Sequence, residues 1–154
     1  MVYPGLITQT TTVFPIYQAI NRYMKAIKNV RLKDYDYSEN GFYFVTICAD
    51  NRRPMLAGAN EKIVQDAIEQ LPQKLRGISL DYYQIMPSHV YLILILDDCE
   101  LKLGEIVRRL KATATRLVGY KLWQPNYYEH VIRDDQSLNR IREYIQNNPL
   151  VEKL

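Results

Sequence analysis

From Phe42 onward the apolar positions alternate between two periods. "FYFVTIC", Phe42 to Cys48, is dense in aromatic and β-branched residues and apolar on both faces, which predicts a central strand covered on both sides. Ile63, Ala67, Leu71 and Leu75 then recur at helical spacing and predict a helix from about Asn60 to Arg76, which Pro72 kinks or ends early. "ISLDYYQIM", Ile78 to Met86, and "HVYLILIL", His89 to Leu96, return to the strand pattern. Their join through Pro87-Ser88 is so short that the pair forms an antiparallel hairpin. Leu103, Ile106, Val107, Leu110, Ala114, Leu117 and Val118 mark an amphipathic helix with Gly119 as its stop. "NYYEHVI", Asn126 to Ile132, predicts a fourth strand. Asp134 and Asp135 open a last helix whose apolar face is Leu138, Ile141 and Ile145, and Pro149 ends it.

This order, β-α-β-β-α-β and then a helix, predicts an α+β protein of the ferredoxin-like class, an antiparallel sheet with two helices on one face. Upstream, residues 1–14 are Thr-rich and irregular. From Pro15, the residues Ile16, Ile20, Tyr23, Met24 and Ile27 fall at helical spacing, with Arg22, Lys25, Lys28 and Arg31 making the segment basic. The expected organisation is an N-terminal extension over residues 1–30 and one folded domain over residues 31–154. That fold hosts many activities and decides none.

Composition narrows the field a little. The 154 residues, 47% hydrophobic, suit one domain with a real core. A net charge of +3 permits a nucleic-acid partner without requiring one. Thirteen tyrosines against three phenylalanines is an unusual bias. Cys48 and Cys99 form no CxxC pair and read as buried thiols in a reducing compartment. With no signal-peptide pattern and no run near the ~18 apolar residues of a membrane span, a cytoplasmic protein without a membrane partner is expected.

The candidate chemistry is sparse. There are two histidines, His89 and His130. No Ser-His-Asp motif, Gly-rich phosphate loop or zinc-type Cys/His spacing is present. A tyrosine nucleophile therefore enters consideration, since a phenol oxygen can attack a phosphodiester that a metal polarises. His89 and Tyr91, two apart in a strand, share a face. Tyr144 and Asn148, four apart in a helix, lie about 40° apart on one face at the edge of the apolar stripe.

Four stretches resemble the REP-associated tyrosine transposases, a branch of the single-tyrosine HUH endonucleases. They are "RLKDYDYSENGFYFVTIC" (Arg31 to Cys48), "IMPSHVY" (Ile85 to Tyr91), "IVRRLKATATR" (Ile106 to Arg116) and "WQPNYYEHVIRDDQSLNRIREYIQNNPL" (Trp123 to Leu150). The resemblance implies a metal-dependent single-stranded DNA endonuclease and strand transferase acting near hairpins. Tyr144, in a Tyr-Ile-x-x-Asn-Pro pattern, would attack a DNA phosphate, form a 5′-phosphotyrosine link and free a 3′-OH. A His-apolar-His pair on a central strand would hold Mg²⁺ or Mn²⁺ with an amide one helical turn past the tyrosine, which makes His89 and Asn148 the metal ligands here. Single-stranded or hairpin DNA is the implied partner, and the chain would act as a monomer or a homodimer.

One position departs from that pattern. Where the family has a second histidine, this chain has Tyr91. A phenol must lose a proton before it binds a metal, so it is a poor ligand near neutral pH. The alternative expectation is therefore a catalytically impaired hairpin-binding protein of the same descent. His130, on the fourth strand, is expected to contact DNA or to pack rather than replace the missing ligand. Arg52, Arg53, Arg108, Lys111, Arg116 and Arg133 are expected to neutralise DNA phosphates, and Tyr127 and Tyr128 to stack on bases, with at least one of the two in the core instead. Trp123-Gln124-Pro125 reads as a packed structural loop. An RNA-binding module of related topology is a weaker third reading, because no RNP-type aromatic pattern is present.

Overall fold

The computed structural model describes residues 34–152. The N-terminal helix expected from Pro15 lies outside them. Strand β1 (Gly41–Cys48) is followed by a turn at Asp50–Arg52, then helix α1 (Ala59–Glu69) and a short helix α2 (Leu71–Lys74). Strands β2 (Ile78–Ile85) and β3 (His89–Leu96) lead to helix α3 (Leu103–Val118), strand β4 (Tyr128–Ile132) and helix α4 (Asp135–Glu152). The four strands form one sheet in the order β2-β3-β1-β4, and each neighbouring pair is antiparallel. This is the ferredoxin-like order the alternating pattern predicts, with β1 and β3 central.

Alternation along the central strands sorts their residues between two layers. Tyr43, Val45, Ile47, Val90, Leu92 and Leu94 join the core cluster that holds Val64, Ala67 and Ile68 of α1 and Leu103, Ile106, Val107 and Leu110 of α3. The opposite face carries Phe44, Tyr91 and Ile93, which pack with Leu138, Ile141, Tyr144 and Ile145 of α4. The sheet therefore separates the α1–α3 layer from the helix that carries Tyr144.

Several boundaries differ from the expectation. The single helix expected to Arg76 breaks at Gln70, and Pro72 falls in the first turn of α2, where its missing N–H costs no bond. Strand β4 begins at Tyr128 rather than Asn126, because Asn126 has φ +67°, a left-handed conformation that cannot pair in a ladder. Helix α4 passes Pro149 and runs to Glu152: the proline forfeits one backbone bond but does not force a stop. Gly119 is the stop expected for α3. It sits at φ +91°, and its N–H donates to the Thr115 carbonyl at 2.8 Å.

Strand β2 carries one irregularity. Leu80 pairs with Leu94 and Tyr82 with Ile93, so Asp81 is an extra residue. The bulge turns Tyr82 toward α4 and leaves the buried Asp81 carboxylate facing that helix too. There Arg142 grips it through two hydrogen bonds, Nε to Oδ2 at 2.9 Å and the second from its terminal nitrogen to Oδ1. Pairs of this kind fix the position of a helix on a sheet, because neither charge tolerates loss of the other.

Candidate active site

The two central strands and α4 build a buried cluster of polar side chains. His89 and Tyr91 point from β3 to the same face, opposite Cys48 and Thr46 of β1. The ring centroids of His89 and Tyr91 lie 4.7 Å apart, edge to face. Above them, α4 is opened by Asp134, whose carboxylate accepts from the Ser137 backbone N–H at 2.7 Å and from its hydroxyl at 3.1 Å. Both bonds hold the Asp134 carboxyl below its usual range. From that start the helical repeat lowers Tyr144 and Asn148 onto the sheet. The Tyr91 and Tyr144 hydroxyls are hydrogen-bonded at 3.1 Å, and Asn148 Nδ2 reaches the Tyr91 hydroxyl at 3.4 Å. Phe44 stacks against Tyr91 with ring centroids 5.8 Å apart and meets Tyr144 edge-on at 6.3 Å. Tyr144 is 5% exposed and Asn148 1%.

Two polar atoms in this cluster are buried without a hydrogen-bond partner, His89 Nε2 and Asn148 Oδ1. His89 Nδ1 lies 3.1 Å from Ser88 Oγ. With Nδ1–H donating to Ser88, the Nε2 lone pair is presented to the site. Burial pushes the His89 pKa down to about 4, helped by the Arg52 guanidinium nearby, so the ring is neutral at pH 7. A neutral imidazole nitrogen and an amide oxygen fit a divalent cation, and a phenol hydroxyl set between them adds little. Among the described residues no three His, Cys, Asp or Glu side chains gather as a metal set.

The other expected residues divide between the two sides of the sheet. Arg52 and Arg53 are exposed in the turn that leaves β1 beside His89. The Ala49 N–H donates to the Ser88 carbonyl there, and Asn51 and Arg52 both adopt positive φ, +54° and +52°. Arg53 pairs with Asp50 at 3.1 Å. On β4, Tyr128 and His130 face the α4 side, opposite Thr46 and Phe44. Burial lowers the His130 pKa, and the neighbouring Arg133 lowers it further. Of the tyrosine pair, Tyr127 is the one in the core, as expected of at least one of them: it is 8% exposed and packs in the α1–α3 core cluster, which corrects its place among the base-stacking residues. Arg108 and Arg116 lie on α3, across the sheet from Tyr144, and Arg108 is engaged by Glu105 at 2.7 Å. Lys111 holds the loop before β4 instead, donating to the carbonyls of Gln124 at 2.9 Å and Asn126 at 2.7 Å. Trp123 is buried and donates to the Lys111 carbonyl at 3.2 Å, a packed loop as expected. Sequence reasoning missed the Asp81–Arg142 pair, which joins residues 61 positions apart. The visible signal was a lone aspartate interrupting a strand pattern.

The sheet order and the helix laid across its free face define a ferredoxin-like α+β protein with a tyrosine-bearing C-terminal helix. The chain belongs to the IS200-like transposase family, whose model matches residues 37–148. An uncharacterised protein of Haemophilus influenzae is 33% identical over 159 aligned positions, covering 80% of this chain and 88% of that one. A REP-associated tyrosine transposase of Escherichia coli K12 is 27% identical over 115 positions, covering 74% of this chain and 69% of its own length. The solved structure of a REP-associated tyrosine transposase bound to a REP hairpin superposes with a TM-score of 0.69 at 22% identity, over 80% of this chain and 74% of that one. That likeness shows the shared fold. No helix among the described residues is long and apolar enough to cross a membrane.

Proposed function

We propose that this transposase-family chain nicks and rejoins single-stranded DNA beside a hairpin, with Tyr144 as the nucleophile. The observation that carries the reading is the gathering of the Tyr144 hydroxyl, the Asn148 amide and the His89 imidazole on one face of the sheet, although His89 and Tyr144 come from distant parts of the chain. In the forward step the Tyr144 oxygen bonds to the scissile phosphorus and the bond from phosphorus to the 3′ oxygen breaks. The Tyr144 hydroxyl gives up its proton to solvent, the 5′-phosphate of the downstream strand is left on Tyr144, and the departing 3′ oxygen takes up a proton from solvent to end as a hydroxyl. Attack of a 3′-OH on the phosphotyrosine reverses the step and joins strands. His89 Nε2 and Asn148 Oδ1 are the groups that would hold Mg²⁺ or Mn²⁺, which supplies charge to polarise the phosphate. Arg52, exposed at the turn beside His89, would meet a phosphate oxygen, and the side of Tyr128 and His130 would meet the strand.

The experiment is a denaturing gel of the protein with labelled hairpin DNA carrying single-stranded flanks, in Mn²⁺ or Mg²⁺. A covalent protein–DNA band that disappears in Tyr144→Phe is the expected result. Tight binding with no band at any metal concentration overturns the nuclease reading.

One observation favours the second reading, a hairpin-binding protein with impaired chemistry. Tyr91 supplies a phenol beside His89 and engages both Tyr144 and Asn148 through its hydroxyl. In this arrangement the nucleophile is masked, and α4 must shift before a phosphate reaches it.

A further inference from the structure

Arg142 and Tyr144 stand on opposite flanks of the face that α4 lays on the sheet. At ~100° per residue they are about 200° apart around the helix, and the shorter arc between them, about 160°, holds Leu138, Ile141 and Ile145. Each flank carries a polar link to a different strand. Arg142 reaches Asp81 on the edge strand β2. Tyr144 reaches Tyr91 on the central strand β3 at 3.1 Å, with Phe44 of β1 edge-on to its ring at 6.3 Å. The helix is thus held on both sides of its axis.

The two links differ in stiffness. A single bond between two phenol hydroxyls fixes a distance and leaves the angle free. The Arg142 guanidinium donates from Nε to Asp81 Oδ2 at 2.9 Å, from Nη2 to Asp81 Oδ1, and from Nη1 to Asn139 Oδ1 at 3.1 Å. A planar fork on a carboxylate fixes direction as well as distance. Asn139 lies one turn back on α4, so the plane of the fork is tied to the helix as well as to the strand. Asp81 is itself set by the bulge in β2. The motion this linkage opposes most is rotation of α4 about its own axis, which the apolar contacts beneath the helix resist weakly because they are non-directional. At a radius of ~5–6 Å with side chains included, a roll of about 10° carries a side-chain tip by about 1 Å. A misplacement of about 1 Å can cost on the order of 100-fold in a reaction that depends on alignment.

We propose that Asp81 and Arg142 are positioning residues for the nucleophile: the pair sets the roll of α4, and so the place of the Tyr144 oxygen relative to His89 and Asn148. The chemical consequence rests on the reading of Tyr144 as the nucleophile. The mechanical part, that the pair on β2 governs the Tyr91–Tyr144 bond on the other flank of the helix, does not.

The test compares Arg142→Lys with the wild-type full chain. Lysine keeps a charge opposite Asp81 but lacks the fork. Thermal midpoints establish that the variant folds, and fluorescence anisotropy with a flanked DNA hairpin measures its binding. The expected result is an affinity within about twofold of wild type, with covalent adduct formation at saturating DNA slower by at least about tenfold. Urea unfolding of wild type, Arg142→Lys, Tyr144→Phe and the double variant closes a cycle that needs neither DNA nor cleavage. Sites that share no partner are additive. If the pair sets the roll, its loss loosens the Tyr91–Tyr144 bond, and Tyr144→Phe costs clearly less in the Arg142→Lys background than in wild type. Additive costs overturn the proposal, and so does an adduct rate at saturating DNA that is unchanged or faster in Arg142→Lys. Asp81→Asn, isosteric and uncharged, carries the same measurements should Arg142→Lys not fold. Loss of the fold in both variants overturns the proposal too, because the pair then supports the whole domain. A wild-type protein that forms no adduct sinks the nuclease reading alone, and the unfolding cycle still decides whether the pair sets the roll.

Discussion

The hydroxyls of Tyr91 and Tyr144 share a hydrogen bond of 3.1 Å across 53 residues of sequence, one oxygen on a central strand and the other on the helix above it. Tyr91 also takes the Asn148 amide at 3.4 Å. A single phenol on the strand is thus the point at which the proposed nucleophile and the amide of the proposed site meet, at the position where the resemblance of the sequence implies a second imidazole.

Replacing that phenol should change the chemistry more than the fold. Tyr91→His supplies a neutral ring nitrogen beside His89, and restoring a metal ligand is expected to strengthen Mn²⁺ binding by about 10- to 100-fold, the scale seen for losses around metal sites. Calorimetric titration of Mn²⁺ into the two proteins measures this directly, and the covalent DNA band should strengthen in parallel. Unchanged metal affinity would show that Tyr91 is not what limits the site.

Tyr144→Phe removes the proposed nucleophile and one side of the Tyr91 hydrogen bond while keeping the ring that meets Phe44. The expected cost in stability is about 1 kcal/mol, read from urea unfolding, because a buried hydrogen bond is lost without a cavity. Loss of the covalent DNA band in a protein that remains folded separates chemistry from structure.

Arg142 is the tie between α4 and the bulge in β2. Its partner Asp81 has a side chain only 6% exposed, against 27% for Arg142. Arg142→Ala takes the guanidinium away from a carboxylate held in the interior and is expected to destabilise the fold by about 3 kcal/mol. Hydrogen exchange should quicken first along α4. Exchange that quickens equally in α3 would mean that the pair supports the whole fold rather than the docking of one helix.

Stability should fall as pH is lowered through the histidine range. His89 titrates at about 4 in the folded protein against 6.5 for the free side chain, and His130 is shifted in the same direction. The unfolded chain therefore binds more protons between those values, so stability is highest above pH 6.5 and declines toward pH 4. Thermal midpoints across this range test the sign. His89→Gln, which cannot take up the proton, should flatten the slope.

Much of this architecture is written in local patterns. The boundaries of β3 coincide with the alternation from His89 to Leu96, and α3 ends at the glycine its apolar stripe predicts. The common face of Tyr144 and Asn148 follows from helical spacing. What local patterns do not carry is the side of the sheet on which each element settles. Tyr127 and Tyr128 are adjacent and chemically alike, and only the register of β4 against β1 decides which ring is buried. Arg108 and Arg116 flank an apolar stripe, but nothing in that stripe says which layer α3 joins. The Asp81–Arg142 pair is long-range for the same reason.

The bulge at Asp81 also bears on how this chain can vary in length. Upstream of it Ile78 and Leu80 lie in register with Leu96 and Leu94, and downstream Tyr82 and Tyr83 lie against Ile93 and Leu92. Deleting Asp81 would leave an unbroken ladder in which Leu80 and Tyr82, now adjacent, keep their opposite faces, and what is lost is the carboxylate that holds Arg142. The shortened strand would be more regular and the protein worse. Deletion of a paired residue of β2 shifts one half of the strand by one position and exchanges its faces, so such deletions should be tolerated less than deletion of Asp81, the one residue that the ladder does not use.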